Sequence, residues 1–185
     1  MNHKGTKDIE TERLFLRKWK INDTDDVFRI CGDKTLVPFP HKDTTQTKIW
    51  IEKMIKNYEN MNNYDWGIEL KDTKKIIGFI YICDSNDENQ LCYIDCALSK
   101  NYWNNGYATE ALKYVIQYLL NNIGFNRIQC EHFIDNPASG KVLEKAGMKY
   151  EGTLRQYSIN WKTGKITDSK VYSIIKDDLV ENKIV

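Results

Sequence analysis

At 185 residues, 41% hydrophobic and 12% aromatic, the chain has the size and apolar content of one domain with a sizeable core. Its 27 basic and 26 acidic side chains leave a net charge of +1, which argues against a nucleic-acid partner, since nucleic-acid-coating surfaces need a clustered excess of Lys and Arg. No apolar run reaches the roughly 18 residues of a membrane span, and the polar start, Met1 to Asp8, is not a secretory signal, so a cytoplasmic protein with no membrane partner is expected.

The elements follow in chain order. After a short polar tail (1–8), Glu12 to Trp19 alternates as a strand. Asn22 or Asp23 is placed to cap a helix over Asp25 to Cys31, which Val37-Pro38-Phe39-Pro40 breaks off. Asp43 or Thr44 opens a second helix with Ile49, Ile51, Met54, Ile55 and Tyr58 on one side. Tyr64 to Leu70 and Lys75 to Cys83 read as two strands around a turn at Lys71-Asp72-Thr73-Lys74, and Asp84 to Gln90 as a polar loop. Leu91 to Leu98 is apolar on both faces apart from Asp95, the pattern of a central strand covered on both sides.

A polar turn ending in Gly106 then leads into a helix with Ala108, Ala111, Leu112, Val115, Ile116, Leu119 and Leu120 on its apolar stripe. Asn126 to Ile134 is a strand, Asn136 to Ala146 a helix ended by Gly147, and Tyr150 to Trp161 and Thr167 to Lys176 are two closing strands. Residues 179–185 are expected as a C-terminal tail to a single domain over 9–178. The strand-helix-strand passage from Leu91 to Ile134 implies one parallel pair in an otherwise antiparallel sheet of about seven strands, with helices on both faces. The five cysteines are odd in number and mostly lie in apolar runs, so reduced thiols are expected. Cys92 and Cys96 lack the turn of a zinc site, and no metal is expected.

The chemistry concentrates at Tyr102 to Ala111. The first turn of a helix leaves backbone N–H groups unpaired and carries partial positive charge, so a turn that aims those groups at one point suits a phosphate. The Lys-Ser/Thr pair of nucleotide-hydrolysing loops and the three-glycine fingerprint of dinucleotide binders are both missing.

Trp103-Asn104-Asn105-Gly106-Tyr107-Ala108 resembles the pyrophosphate loop of the GNAT N-acetyltransferases, most closely the RimJ/RimL-type branch. Glu10 to Arg17, Ile76 to Ile80, Asn136 to Met148, and the pair Glu151 to Arg155 and Asp168 to Tyr172 resemble other segments of that family in the same order. The chain departs from the wider superfamily at Trp103, where Gln or Arg is usual although Trp is common in this branch, at Asn104, where Gly is frequent, and at Asn105, where a basic residue is common.

The resemblance implies an α+β fold with a splayed central parallel pair, and direct acetyl transfer from acetyl-CoA to an amine. It assigns the cofactor to Cys96, Ala97 and Leu98, to Trp103, Asn104, Asn105, Gly106, Tyr107, Ala108 and Thr109, and to Asn136 and Ser139. Ser139 is the expected proton donor to the leaving thiolate. Asp95, through desolvation, and Glu131 are the expected bases, with His132 as a further possibility. Phe39, His41, Trp50, Tyr58, Tyr157 and Trp161 are expected near the acceptor. A protein or peptide α-amine is the leading acceptor; a small-molecule amine and a non-catalytic acetyl-CoA-binding module stay open, and a homodimer is possible.

Overall fold

The computed structural model describes residues 1–182. Its strands are β1 (Ile9–Glu10), β2 (Leu14–Arg17), β3 (Asp65–Leu70), β4 (Ile76–Asn86), β5 (Leu91–Leu98), β6 (Arg127–Phe133), β7 (Lys149–Asn160) and β8 (Lys165–Ile175). Its helices are α1 (Thr24–Cys31), α2 (Thr44–Asn57), α3 (Tyr107–Tyr118), α4 (Pro137–Lys145) and α5 (Lys176–Asn182). The eight strands form one sheet in the order β1-β2-β3-β4-β5-β6-β8-β7, with β5 and β6 parallel. This is the mixed, mostly antiparallel α+β architecture the residue pattern implies. The eighth strand is β1, which pairs with β2 through Ile9↔Leu16 and Glu10↔Phe15; two residues are too few to show alternation. No helix among the described residues is long and apolar enough to cross a membrane.

By its contacts the chain forms two compact units, one of residues 3–81 and 96–111, the other of residues 1–2, 82–95 and 112 onward. In the first, Trp19, Val27, Ile30, Cys31, Ile51, Ile76 and Phe79 are buried together, with Trp50, Met54, Tyr58, Tyr81 and Ala97 packed around them. Asp43 caps α2 by accepting from the Gln46 N–H, as expected. Asp23 precedes α1 without capping it: its carboxylate instead accepts two hydrogen bonds from the buried Arg17, whose Nε also donates to Glu69. The buried guanidinium is the stronger donor, so it outcompetes the helix end for the carboxylate. The expected N-terminal tail packs down: Gly5 donates to the Met61 carbonyl, Trp66 Nε1 donates to Lys7, and Thr6 is buried.

In the second unit the parallel ladder runs Leu91↔Arg127, Cys92↔Ile128 and Tyr93↔Gln129, and β6 continues antiparallel beside β8 from Arg127↔Ile175 to Phe133↔Ser169. The stripe of α3 is buried at Leu112, Val115 and Ile116, a π-helical turn (Leu119–Ile123) extends it, and Gly124 ends it at φ 95. α4 ends as expected at Gly147, φ 98. β4 runs on to Asn86, shortening the expected loop, and α5 carries helix to Asn182 inside the expected tail; 183–185 lie outside the described residues.

β5 corrects one expectation. Cys92, Ile94 and Leu98 are buried, but Asp95 is exposed. An apolar sequence on both faces marked the strand as central without showing that a helix covers the Asp95 side. All five cysteines are free; Cys31, Cys92 and Cys130 are buried, whereas Cys83 is exposed.

Candidate active site

The first unit carries the turn. Ser99 donates its N–H to the Ile77 carbonyl at 2.9 Å, and a Cβ on Gly78 would lie 2.4 Å from the Ala97 carbonyl oxygen. Both groups therefore face β4, and strand alternation points the N–H groups of Cys96 and Leu98 to the opposite edge. Ala97 was expected at the cofactor, but its own polar groups are turned toward β4. After a 3-10 turn (Lys100–Tyr102), the Trp103 indole N–H donates to the Leu98 carbonyl at 2.7 Å. Trp103, the residue that departs from the family pattern, thus ties the loop to the end of β5.

Asn104 (φ 63) and Gly106 (φ 81) are left-handed, a conformation glycine adopts freely and asparagine better than most residues. Glu110 N–H donates to the Gly106 carbonyl at 3.0 Å, closing the first turn of α3. The N–H groups of Tyr107, Ala108 and Thr109 precede that bond and have no acceptor within the helix. This backbone, with the positive end of the α3 dipole, fits a pyrophosphate.

The loop is gripped from the side by the segment around β2. Arg13 Nη1 donates to the Asn105 carbonyl at 2.9 Å and Nε to Glu110 Oε2 at 2.7 Å, with Nη2 also 2.7 Å from that oxygen. Its guanidinium lies 4.6 Å from the centroid of the Tyr107 ring. Thr11 Oγ1 donates to Glu110 Oε1 at 2.6 Å. Burial raises the Glu110 carboxyl, but the hydrogen bonds from Thr11 and Arg13, and the Arg13 charge, outweigh it and leave the group below its ordinary range.

The second unit holds Ser139, Asp95 and Glu131. Asn136 precedes α4 but does not cap it with its side chain. Its Nδ2 donates instead to Ser139 Oγ at 2.9 Å. With its oxygen already accepting, the Ser139 hydroxyl is left to donate its hydrogen elsewhere. The parallel register ends at Tyr93↔Gln129, two residues short of Asp95 on β5 and of Glu131 on β6. Partial desolvation, then the like charge of Asp95, holds the Glu131 carboxyl above the usual carboxylate range although the residue is exposed. Asp95 is exposed as well. His132 is buried: Nδ1 bonds the Phe133 carbonyl, the ring stacks on Tyr172, and Nε2 lies against Gly140.

A model of the acetyltransferase (GNAT) domain family matches residues 13–149. The chain belongs to the GNAT family. YoaA of Bacillus subtilis, an uncharacterized N-acetyltransferase, is 31% identical over 172 residues, covering 91% of this chain and 96% of that protein. Among solved structures, a ribosomal-protein alanine acetyltransferase from Vibrio fischeri superposes with a TM-score of 0.80 at 19% identity, over 93% of this chain and 98% of that one. A spermidine N-acetyltransferase chimera from Vibrio cholerae superposes at 0.76 and 16% identity, over 92% of this chain and 100% of its own. At these identities the two structures establish the fold alone. This GNAT protein is an acyl-transfer enzyme.

Of the aromatic residues expected near the acceptor, Trp50 joins the cluster around Trp19, with His41 beside it at 5.8 Å between ring centroids. Tyr58 is structural: its hydroxyl donates to the Asp65 carbonyl and accepts from the Trp19 N–H. Phe39 and Tyr157 are exposed. Asp65 drew no attention in the sequence, yet burial pushes its carboxyl up to about 7. Buried at the start of β3, it belongs to the core. The sequence also missed the pairing of Arg13 and Thr11 with Glu110. The only signal was a carboxylate in the first turn of α3, a common position on its own.

Proposed function

We propose that this GNAT enzyme, of the RimJ/RimL-type branch and acting in the cytoplasm, acetylates the α-amine of a peptide or protein N-terminus from acetyl-CoA. The observation that carries the reading is the Glu131 carboxyl, raised above its ordinary value by partial desolvation and by the charge of Asp95. An α-amine is about 10–15% neutral at pH 7, and a lysine amine only about 0.04%. A carboxylate base has far less deprotonation to do for the first.

Acetyl-CoA supplies the acetyl group as a thioester. The backbone of Asn105 to Thr109 holds the pyrophosphate, and the N–H groups of Cys96 and Leu98 face the edge of β5 at which the thioester oxygen is placed. Glu131 takes the proton from the amine, and Asp95 keeps Glu131 basic. Ser139, oriented by Asn136, gives its hydroxyl proton toward the departing sulfur.

A second reading, a small polycationic amine, draws on the exposed carboxylates of Asp95 and Glu131, near enough for one charge to act on the other and together attractive to positive charge. The two fold neighbours, one acting on a ribosomal protein and one on spermidine, leave room for either. The deciding experiment follows thiol release from acetyl-CoA against N-terminally free peptides, Nα-blocked lysine peptides, spermidine and amino sugars. Turnover confined to free peptide N-termini is expected. Turnover on spermidine alone moves the assignment to the second reading, and no release with any amine overturns both.

A further inference from the structure

We propose that Arg13 is a positioning residue for the pyrophosphate of coenzyme A, setting the loop from its carbonyl side and cancelling the charge of Glu110; the inference rests on the acetyl-CoA reading above.

Three observations carry it. First, Arg13 holds the Asn105 carbonyl at 2.9 Å. In a trans peptide the carbonyl and the following N–H point in opposite directions, so this bond turns the Gly106 N–H away from Arg13, toward the open side of the loop. Second, Glu110 stands in the first turn of α3, where an uncompensated carboxylate opposes a pyrophosphate. Two guanidinium nitrogens at 2.7 Å, the Arg13 backbone N–H at 2.9 Å and the Thr11 hydroxyl at 2.6 Å all engage it. Third, Arg13 Nη2 would lie 3.4 Å from a Cβ on Gly106. The guanidinium therefore reaches four residues of the turn: Asn105, Gly106, Tyr107 and Glu110. The loop has Asn105 where its relatives commonly have a basic residue, and the cation here comes from 92 positions upstream. The fork is what the site needs: a lysine ammonium would carry the charge without the fixed geometry that engages a carbonyl and a carboxylate together.

The test compares two acetyl donors in the full-length enzyme, acetyl-CoA and S-acetylpantetheine, which lacks the pyrophosphate. The measured quantity is the ratio of their kcat/KM values. In Arg13→Met this ratio is expected to fall about 10–100-fold, the loss typical of leaving a charged partner unpaired, with Arg13→Lys between Met and the parent. Glu110→Gln in the Arg13→Met background is expected to restore at least part of the ratio, because it removes the uncancelled charge while keeping the shape. The double variant also serves if Arg13→Met does not fold. An unchanged ratio in Arg13→Met, with both donors falling alike, reduces Arg13 to a structural residue and overturns the proposal, as does a double variant no better than the single one. A parent enzyme that uses the two donors equally well refutes the pyrophosphate reading of the loop itself, an outcome separate from the behaviour of Arg13.

Discussion

Two turns lead into helices in this enzyme, and they are held in opposite ways. The Trp103–Glu110 turn before α3 is fixed by Arg13 and Thr11, 92 to 99 positions away in sequence. The Asn136–Ser139 turn before α4 is fixed within itself: Asn136 Nδ2 donates to Ser139 Oγ at 2.9 Å, and Ser139 N–H returns to the Asn136 carbonyl at 3.2 Å. The first presents backbone N–H groups, whose direction depends on how the whole loop is seated. The second presents a side-chain hydroxyl, whose direction a neighbour three residues away can set. A turn that works through its backbone needs outside support, and one that works through a side chain does not.

The largest effect is expected at the carboxylate assigned as base. Glu131→Gln should lower kcat/KM about 10²–10⁴-fold, the usual contribution of a positioned base. Because Glu131 acts deprotonated and its pKa is raised, activity of the parent should climb as pH rises through that raised value. Asp95→Asn removes the like charge, lowers the Glu131 pKa, and should shift this acid limb to lower pH. If Glu131→Gln keeps the limb and Asp95→Asn abolishes it, the base is Asp95.

Ser139→Ala tests the self-contained turn: about a hundredfold loss in kcat is expected, with the dissociation constant for acetyl-CoA unmoved by calorimetry. A matching loss of affinity would show that this turn holds the cofactor rather than serving the leaving group.

Gly106→Ala tests the supported loop. A side chain at φ 81 costs about 1–2 kcal/mol, and acetyl-CoA affinity should fall about tenfold while Asn136 and Ser139 are untouched. The smallest effect, and the one that most sharpens the contrast, is Thr11→Val. Loss of one hydrogen bond to Glu110 costs about 1 kcal/mol, read as an acetyl-CoA affinity about fivefold weaker from a residue 99 positions away. An unchanged affinity would mean that the loop seats itself.

Much of the fold was legible because it is written in local patterns. The α3 stripe, the Asp43 cap, the Gly147 stop and the strands from β2 to β8 all follow from spacing and turn chemistry. What escaped was whatever depended on a neighbour from elsewhere in the chain. Asp23 looked like a helix cap until Arg17 took its carboxylate. Asp95 looked buried because composition cannot say whether a helix lies over a strand face. Asp65 looked like an ordinary strand residue, and its burial alone raises its carboxyl to about 7.

The same division holds at the site. The sequence by itself determined the glycine turn into α3, the Asn136–Ser139 turn into α4 and the acetyltransferase family, since each rests on residues close together along the chain. Only the tertiary structure decided that the charge of Asp95 raises the Glu131 carboxyl, that His132 is buried with Nδ1 on the Phe133 carbonyl, and that Trp103 and Arg13 hold the loop before α3. Hydrogen bonds and charge interactions act over a few ångströms, whatever the separation in sequence, and folding alone sets those distances.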